Sequence, residues 1–346
     1  MVALLDGEPV ESWLRRRGLV TAEEPVSVDR LSGGVSSLVV RVGTPRRSLV
    51  LKQALPQLLV EQTWTADTIR LVHEARGLAL AHELTPTLVP AVVDLDEQAM
   101  VLAIDCAPST WADWRSLLLA GQVDPAIGPV LGHALASWHR AGAARVDDLA
   151  RLLPAGQHCF DQLRVDPFYR FTADRLPDLA DRIAAVQETL DTDPARTFVH
   201  GDFSPKNVLV GADAGGVACW VVDFEVVHVG AAAFDPAFLL THLALKSLHR
   251  PADAGLLFAA ARGFCRSYAE AIGPDLAPAW RSIFDHVAVL LLARVHGKSP
   301  AAYLSAQEAD RATALGTEML LGHEVDSAEA LWTAIESHQP DSESAY

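Results

Sequence analysis

Hydrophobic and polar positions change period along the chain. Two β-branched runs, Ser36–Val42 and Ser48–Leu51, flank Gly43-Thr44-Pro45 and predict strands joined by a hairpin turn. Before them, Gly7–Arg17 reads as a short helix stopped at Gly18. After them, Thr65–Glu83 reads as a helix, because Ile69, Val72, Ala79 and Leu71, Ala75, Leu78 recur at helical spacing. Two further short strands are expected at Val89–Asp94 and Met100–Asp105. Beyond residue 105 the pattern is mostly helical, with apolar periodic runs at Ile127–Ala141, Leu176–Leu190 and Pro278–Val295. One β island, Thr197–Glu225, interrupts the helices, and the polar Gln339–Tyr346 should fray. The expected class is α+β, with a strand-rich N-terminal lobe over residues 1–105 and a larger, mainly helical lobe over residues 106–346.

Composition narrows what such a chain does. Its 346 residues suit two lobes, and 28 Lys+Arg against 44 Asp+Glu give a net charge of −16. That balance argues against nucleic acid, whose phosphates call for basic charge, and leans weakly toward a cationic partner. The longest apolar stretches, such as Val287–Ala293, fall far short of the ~20 residues of a membrane span. Met1–Arg17 lacks the order of a signal peptide. Cys106, Cys159, Cys219 and Cys265 lie far apart, which suggests neither a disulfide framework nor a zinc site. The expected compartment is the cytoplasm.

The β island carries the chemistry. Phe198-Val199 delivers His200-Gly201-Asp202; Asn207 follows five residues after Asp202, and Val208-Leu209-Val210 opens a second strand. Gly211–Gly216 turns the chain, and Val217–Val222 ends at Asp223. A hairpin here brings Asp223 back toward Asn207, so two carboxylates and an amide share one loop region. Mg²⁺ favours such oxygen ligands and commonly keeps only one or two carboxylates beside phosphate and water. An Asp, an Asn five residues later and a strand-end Asp also match a kinase catalytic loop and its metal-binding acid.

His200-Gly201-Asp202, Asn207 and Asp223-Phe224-Glu225 closely resemble the aminoglycoside phosphotransferase family, which includes kinases of antibiotics, methylthioribose and choline. The resemblance implies a protein-kinase-like bilobal fold and ATP-dependent phosphorylation of a small-molecule hydroxyl. It implies Asp202 as catalytic base, Asn207 and Asp223 as Mg²⁺ ligands, and His200 as a structural histidine behind the loop. ATP or GTP is the expected donor. The acceptor is expected on a sugar-containing antibiotic of aminoglycoside or nucleoside type, or a related metabolite. Methylthioribose, choline or a simple sugar is the alternative. A nucleotide-binding pseudokinase is a further alternative, against which stands the presence of Lys52, Asp202 and Asp223. A protein kinase is disfavoured by the absence of H-R-D and of A-P-E after Asp223. The protein should act as a monomer or homodimer.

A kinase also needs a phosphate-covering loop, a strand Lys and a helix Glu. Ser32, Gly33, Gly34, Val35 and Ser36 stand where the loop belongs, with small hydroxyls and backbone free to approach phosphate. Lys52 lies on the face of Val50 and Ser48, and a buried Lys needs a partner. Glu74, on an otherwise apolar helix face, is favoured over Glu61. By position in the family, adenine should bond to backbone near Ile104 or Cys106. Lys206 places a cation beside the transferring phosphate. Glu225 either meets an acceptor hydroxyl or amine or orders the loop. Asp235, before Pro236, either shapes a turn or binds ligand. Arg294 either meets an acidic acceptor group or caps its helix. Asp161–Asp193, with eight acids and four arginines, reads as a solvated face or a cation-attracting patch.

Overall fold

Strand pairing organises the first third of the molecule. The computed structural model describes residues 4, 7–31, 37–57, 66–213, 216–322 and 325–339. Helix α1 (Val10–Arg16) precedes a five-stranded sheet of order β1-β2-β3-β5-β4, made of β1 (Ser27–Arg30), β2 (Ser37–Gly43), β3 (Ser48–Ala54), β4 (Val92–Asp96) and β5 (Val101–Asp105). β2 and β3 form the expected hairpin, with Gly43 opposite Ser48. Alternation then divides β3: Leu49 and Leu51 pack with Trp13, Leu14 and Val42 on one face, and Lys52 lies on the other.

Helix α2 (Arg70–Leu84) covers that second face, with Leu71, Ala75, Leu78 and Ala81 in the core. It starts later than the periodicity suggests, because Asp67 Oδ1 accepts from the Ile69 N–H at 3.0 Å and caps the turn ahead of it. β4 also lies later than expected. Val89 is fully buried, and the Leu88 carbonyl accepts from the Val221 N–H at 2.8 Å, so this stretch belongs to a junction with the rest of the molecule.

The remainder is helical around α9 (Phe234–His249), which is buried along nearly its whole length. β6 (Ala112–Asp113) and α3 (Trp114–Leu119) lead to α4 (Ile127–Ala143), α5 (Val146–Leu152) and α6 (Gly156–Phe160). A π-helical segment, Asp161–Arg170, runs through Pro167 into α7 (Phe171–Arg175) and then α8 (Ala180–Thr192). α10 (Ala254–Ile272), α11 (Trp280–His296), α12 (Ala306–Leu321) and α13 (Ala328–Ser337) complete it. The β island forms two small sheets. β7 (Arg196–Val199) pairs with β10 (His228–Ala231), and β8 (Val208–Asp213) and β9 (Gly216–Val221) form the hairpin, flanked by β6. No helix among the described residues is long and apolar enough to cross a membrane.

Candidate active site

β7 ends at the loop that carries the acid. Gly201 has φ +77°, and a Cβ there would lie 2.7 Å from the Val226 carbonyl, so the loop requires glycine. The His200 and Gly201 N–H groups donate to the two oxygens of Asp235, at 2.7 and 2.9 Å. His200 Nδ1 accepts from the Asp202 N–H at 3.1 Å, which leaves Nε2–H to donate to the Val222 carbonyl at 3.2 Å. Burial holds His200 below its ordinary pKa, in keeping with a neutral ring that bonds at both nitrogens.

Asp202 is 1% exposed. Its Oδ2 lies 2.8 Å from Arg164 Nη2 and 2.8 Å from Lys206 Nζ. Burial alone would raise its pKa, but the charges of Arg164 and Lys206 outweigh that and keep the carboxylate ionised. Arg164 also donates through Nε to the Gly201 carbonyl at 2.7 Å, so one guanidinium fixes both the acid and its loop. Asn207 Nδ2 donates to the Asp202 carbonyl at 3.0 Å, which commits the amide nitrogen and leaves Oδ1 as its ligand atom. The Val222 N–H donates to the Asn207 carbonyl at 2.9 Å and closes the hairpin beside Asp223. Asp223 has φ +71°, a left-handed conformation that Asp tolerates better than most residues.

The sheet supplies the opposing charge. Lys52 Nζ lies 2.5 Å from Glu74 Oε1 and 2.5 Å from Asp223 Oδ1. Burial disfavours the ammonium, but Asp223 and Glu74 together overcome it and raise its pKa. Burial raises Glu74 against the pull of Lys52, whereas Asp223, half-buried, is carried down by Lys52 and then Lys206. Glu74 thus meets Lys52; Glu61 lies outside the described residues, as do Ser32, Gly33, Gly34, Val35 and Ser36. Ile104 lies in β5 opposite Val50, and the Cys106 N–H is taken by the Ser48 carbonyl at 3.3 Å. Only the Cys106 carbonyl then remains for a ligand, and burial raises its thiol, in keeping with a packing role.

One candidate acceptor contact, Asp235, is corrected, and a second, Glu225, is engaged by a structural partner. Asp235 is fully buried, with both oxygens on backbone N–H groups and His139 Nε2 3.5 Å away, so it anchors the catalytic loop and cannot face an acceptor. Glu225 is 7% exposed and pairs with Arg70 at 3.1 Å; it ties α2 to the loop after β9. Arg294 reaches past the end of its helix, through Nη1 to the carbonyl and hydroxyl of Ser299 in the loop that follows. Its Nε is buried with no hydrogen-bond partner among the described residues.

Sequence reasoning missed Arg164, Arg70 and Lys246. Arg164 sat within a stretch read as a charged surface, and nothing in the local pattern singles it out. Lys246 did carry a signal, as a lone cation in an apolar helical run, and it is fully buried in α9.

A buried sheet Lys paired with a helix Glu, joined to an acid after a hairpin and facing an Asp-x-x-x-x-Asn loop, defines a phosphotransferase with kinase-like architecture. The chain belongs to the phosphotransferase enzyme family, which matches residues 27–279. A methylthioribose kinase of Bacillus cereus is 23% identical over 270 residues, covering 71% of this chain and 67% of that protein. A methylthioribose kinase of Exiguobacterium sibiricum is 26% identical over 254 residues, covering 66% of this chain and 64% of its own. The chain thus spans about two thirds of these relatives. Among solved structures, an ethanolamine kinase of Plasmodium vivax superimposes with a TM-score of 0.52 at 12% identity, over 94% of this chain and 86% of that one. An amicoumacin kinase in complex with AMP-PNP and Ca²⁺ gives 0.51 at 15% identity, over 90% and 93%. The fold is the protein-kinase-like bilobal fold, and the chain is a small-molecule kinase by family.

Proposed function

We propose that the protein transfers the γ-phosphoryl group of ATP, with Mg²⁺, to a hydroxyl of a small molecule. The observation that carries this is the convergence of Lys52, Glu74 and Asp223 on one side with Asp202, Lys206 and Asn207 on the other, each held by a named partner. Residues 1–105 would hold the nucleotide and residues 106–346 the acceptor. GTP is the alternative donor, and a sugar-containing antibiotic or related metabolite is within the acceptor class. Methylthioribose is the variant suggested by the two relatives.

The donor set fits magnesium. Asn207 Oδ1 and the Asp223 carboxylate are hard oxygen donors on adjoining strand ends, and no group of three or more His, Cys, Asp or Glu suited to a metal exists among the described residues. Bound there, Mg²⁺ supplies charge neutralisation for the phosphates. Lys52, pinned by Glu74, holds phosphate oxygens. Asp202 accepts a hydrogen bond from the acceptor hydroxyl and orients its oxygen toward the γ-phosphorus. As the new P–O bond forms and the bond to ADP breaks, the proton passes to Asp202. Lys206, 42% exposed at its side chain, reaches the developing phosphate charge from the open side of the loop.

Replacing Asp202 with Asn keeps the size and removes the base. Turnover should fall by about 10²–10⁴ while AMP-PNP affinity, read by calorimetry, stays within about threefold. Undiminished turnover sinks the assignment, and loss of nucleotide binding marks a folding defect instead.

A further inference from the structure

Beside Asp202, on the helical side, the charge is positive in a chain of strongly negative net charge. Arg294 lies near enough for Asp202, Arg164 and Arg115 to act on it. Lys246, one turn along α9 from His242, is fully buried; its Nζ lies 5.4 Å from the centre of the Tyr303 ring and donates to the His242 carbonyl at 3.3 Å. His242 in turn sits 5.1 Å from the ring of Phe238, over which Arg164 stacks at 5.5 Å. These contacts chain Arg164, Lys246 and Tyr303 into one wall, and Arg294 lies within electrostatic reach of Tyr303 and of the catalytic acid.

The acids in reach are engaged. Asp202 is neutralised by Arg164 and Lys206. Asp113 caps α3, accepting from the Ser116 N–H at 2.9 Å and its hydroxyl at 2.7 Å. Glu308 caps α12 and pairs with His249 at 3.1 Å. Neither Lys246 nor Arg294 has a carboxylate within 4.0 Å among the described residues. Arg294 Nε and the Tyr303 hydroxyl are buried without a hydrogen-bond partner there. Uncompensated buried charge is costly, and buried donors are normally satisfied. An anionic group on the acceptor would satisfy all three.

We propose that the acceptor is an anionic hydroxy compound, its hydroxyl at Asp202 and its carboxylate or phosphate against Arg294 and the Tyr303 hydroxyl, with Lys246 beneath. This rests on the kinase reading and names its substrate class. It also reverses the lean toward a cationic partner drawn from net charge, since an aminoglycoside would meet this wall with like charge.

Matched acceptors test it. Gluconate, glucose and glucosamine share a six-carbon polyol frame at three charges, and glycerate, glycerol 3-phosphate and glycerol separate carboxylate from phosphate. Binding is measured by calorimetry to the full chain, with and without AMP-PNP and Mg²⁺, and turnover by ATP consumption. The anionic members should bind or react at least about tenfold better than their partners, and Arg294→Gln should remove that preference by raising KM, with kcat nearly kept. Arg294→Lys should restore part of it. Equal behaviour across the charges, absence of binding by all included, overturns the proposal. A uniform kcat loss in Arg294→Gln for acceptors of every charge also overturns it, by placing Arg294 on the transferring phosphate. Failure of AMP-PNP to bind would count against the kinase reading alone, because the nucleotide-free arm still reports acceptor charge.

Discussion

Lys246 shows how much a single side chain can cost and what it can do. Burial lowers its pKa to about 7; Arg294 and Arg115 add to the effect and Asp113 opposes it. The Tyr303 ring and the His242 carbonyl are its other neighbours. In the unfolded chain a Lys titrates near ~10.4. Between about pH 7 and 10 the unfolded state therefore binds more protons than the folded one, so this residue makes stability rise with pH across that window. Below pH 7 the full cost of holding a buried ammonium applies. Lys246→Met removes that cost, so melting temperature should rise by several degrees at pH 6.5, and the gain should shrink toward pH 10. Thermal melts at the two pH values check this; a gain independent of pH would mean that shape and not charge sets the cost.

At the scale of elements, the catalytic loop depends on a helix that follows it by more than thirty residues. Asp235 lies in the first turn of α9, where the helix dipole favours an acid, and both its oxygens hold N–H groups of the loop. Asp235→Ala would leave two buried donors unpaired. It should cost about 3–5 kcal/mol in urea denaturation and most of the turnover, whereas Asp235→Asn should lose less of both. The β hairpin that carries Asn207 and Asp223 was legible in the chain because its signals are local: β-branched runs, a glycine-rich turn and a strand-end acid. The partnership of Lys52 with Glu74 was legible because a buried cation and a lone acid on an apolar helix face each need the other. The role of Asp235 was not, since nothing in Phe234-Asp235-Pro236 reports contacts 34 and 35 residues earlier. Arg164 was hidden for a related reason. Its π-helical segment departs from the 3.6-residue period through which a buried face is normally recognised. The late start of β4 follows from pairing between Leu88 and Val221, which no local pattern encodes.

For the whole molecule, two ion pairs, both with buried basic members, tie the sheet with α2 to the helical remainder, while the other ion pairs among the described residues lie within one part or the other. The net charge of −16 therefore says little about the sign of any one site. Lys52 to Asp223 is one tie and Arg70 to Glu225 is another; α2 also reaches Leu152 through Arg76 Nη1 at 2.7 Å. Arg70 and Glu225 are both nearly inaccessible, so their attraction is poorly screened and loss of either leaves a buried charge. Arg70 further donates to the carbonyls of Ala66, Asp67 and Leu55, which makes it the more damaging residue to remove. Glu225→Gln should destabilise by about 1–3 kcal/mol and Arg70→Met by more, and the double variant should show about 1–3 kcal/mol of coupling between them. Chemical denaturation of the four proteins measures this cycle. Acceptor KM provides the contrast. If Glu225 belongs to the tie, Glu225→Gln leaves the preference among acceptors of different charge unchanged while stability falls. A selective rise in KM at full stability would return it to the acceptor site, and the polar joint between the two parts would then rest on Lys52, on Arg76 at Leu152 and on the backbone pairing at Leu88.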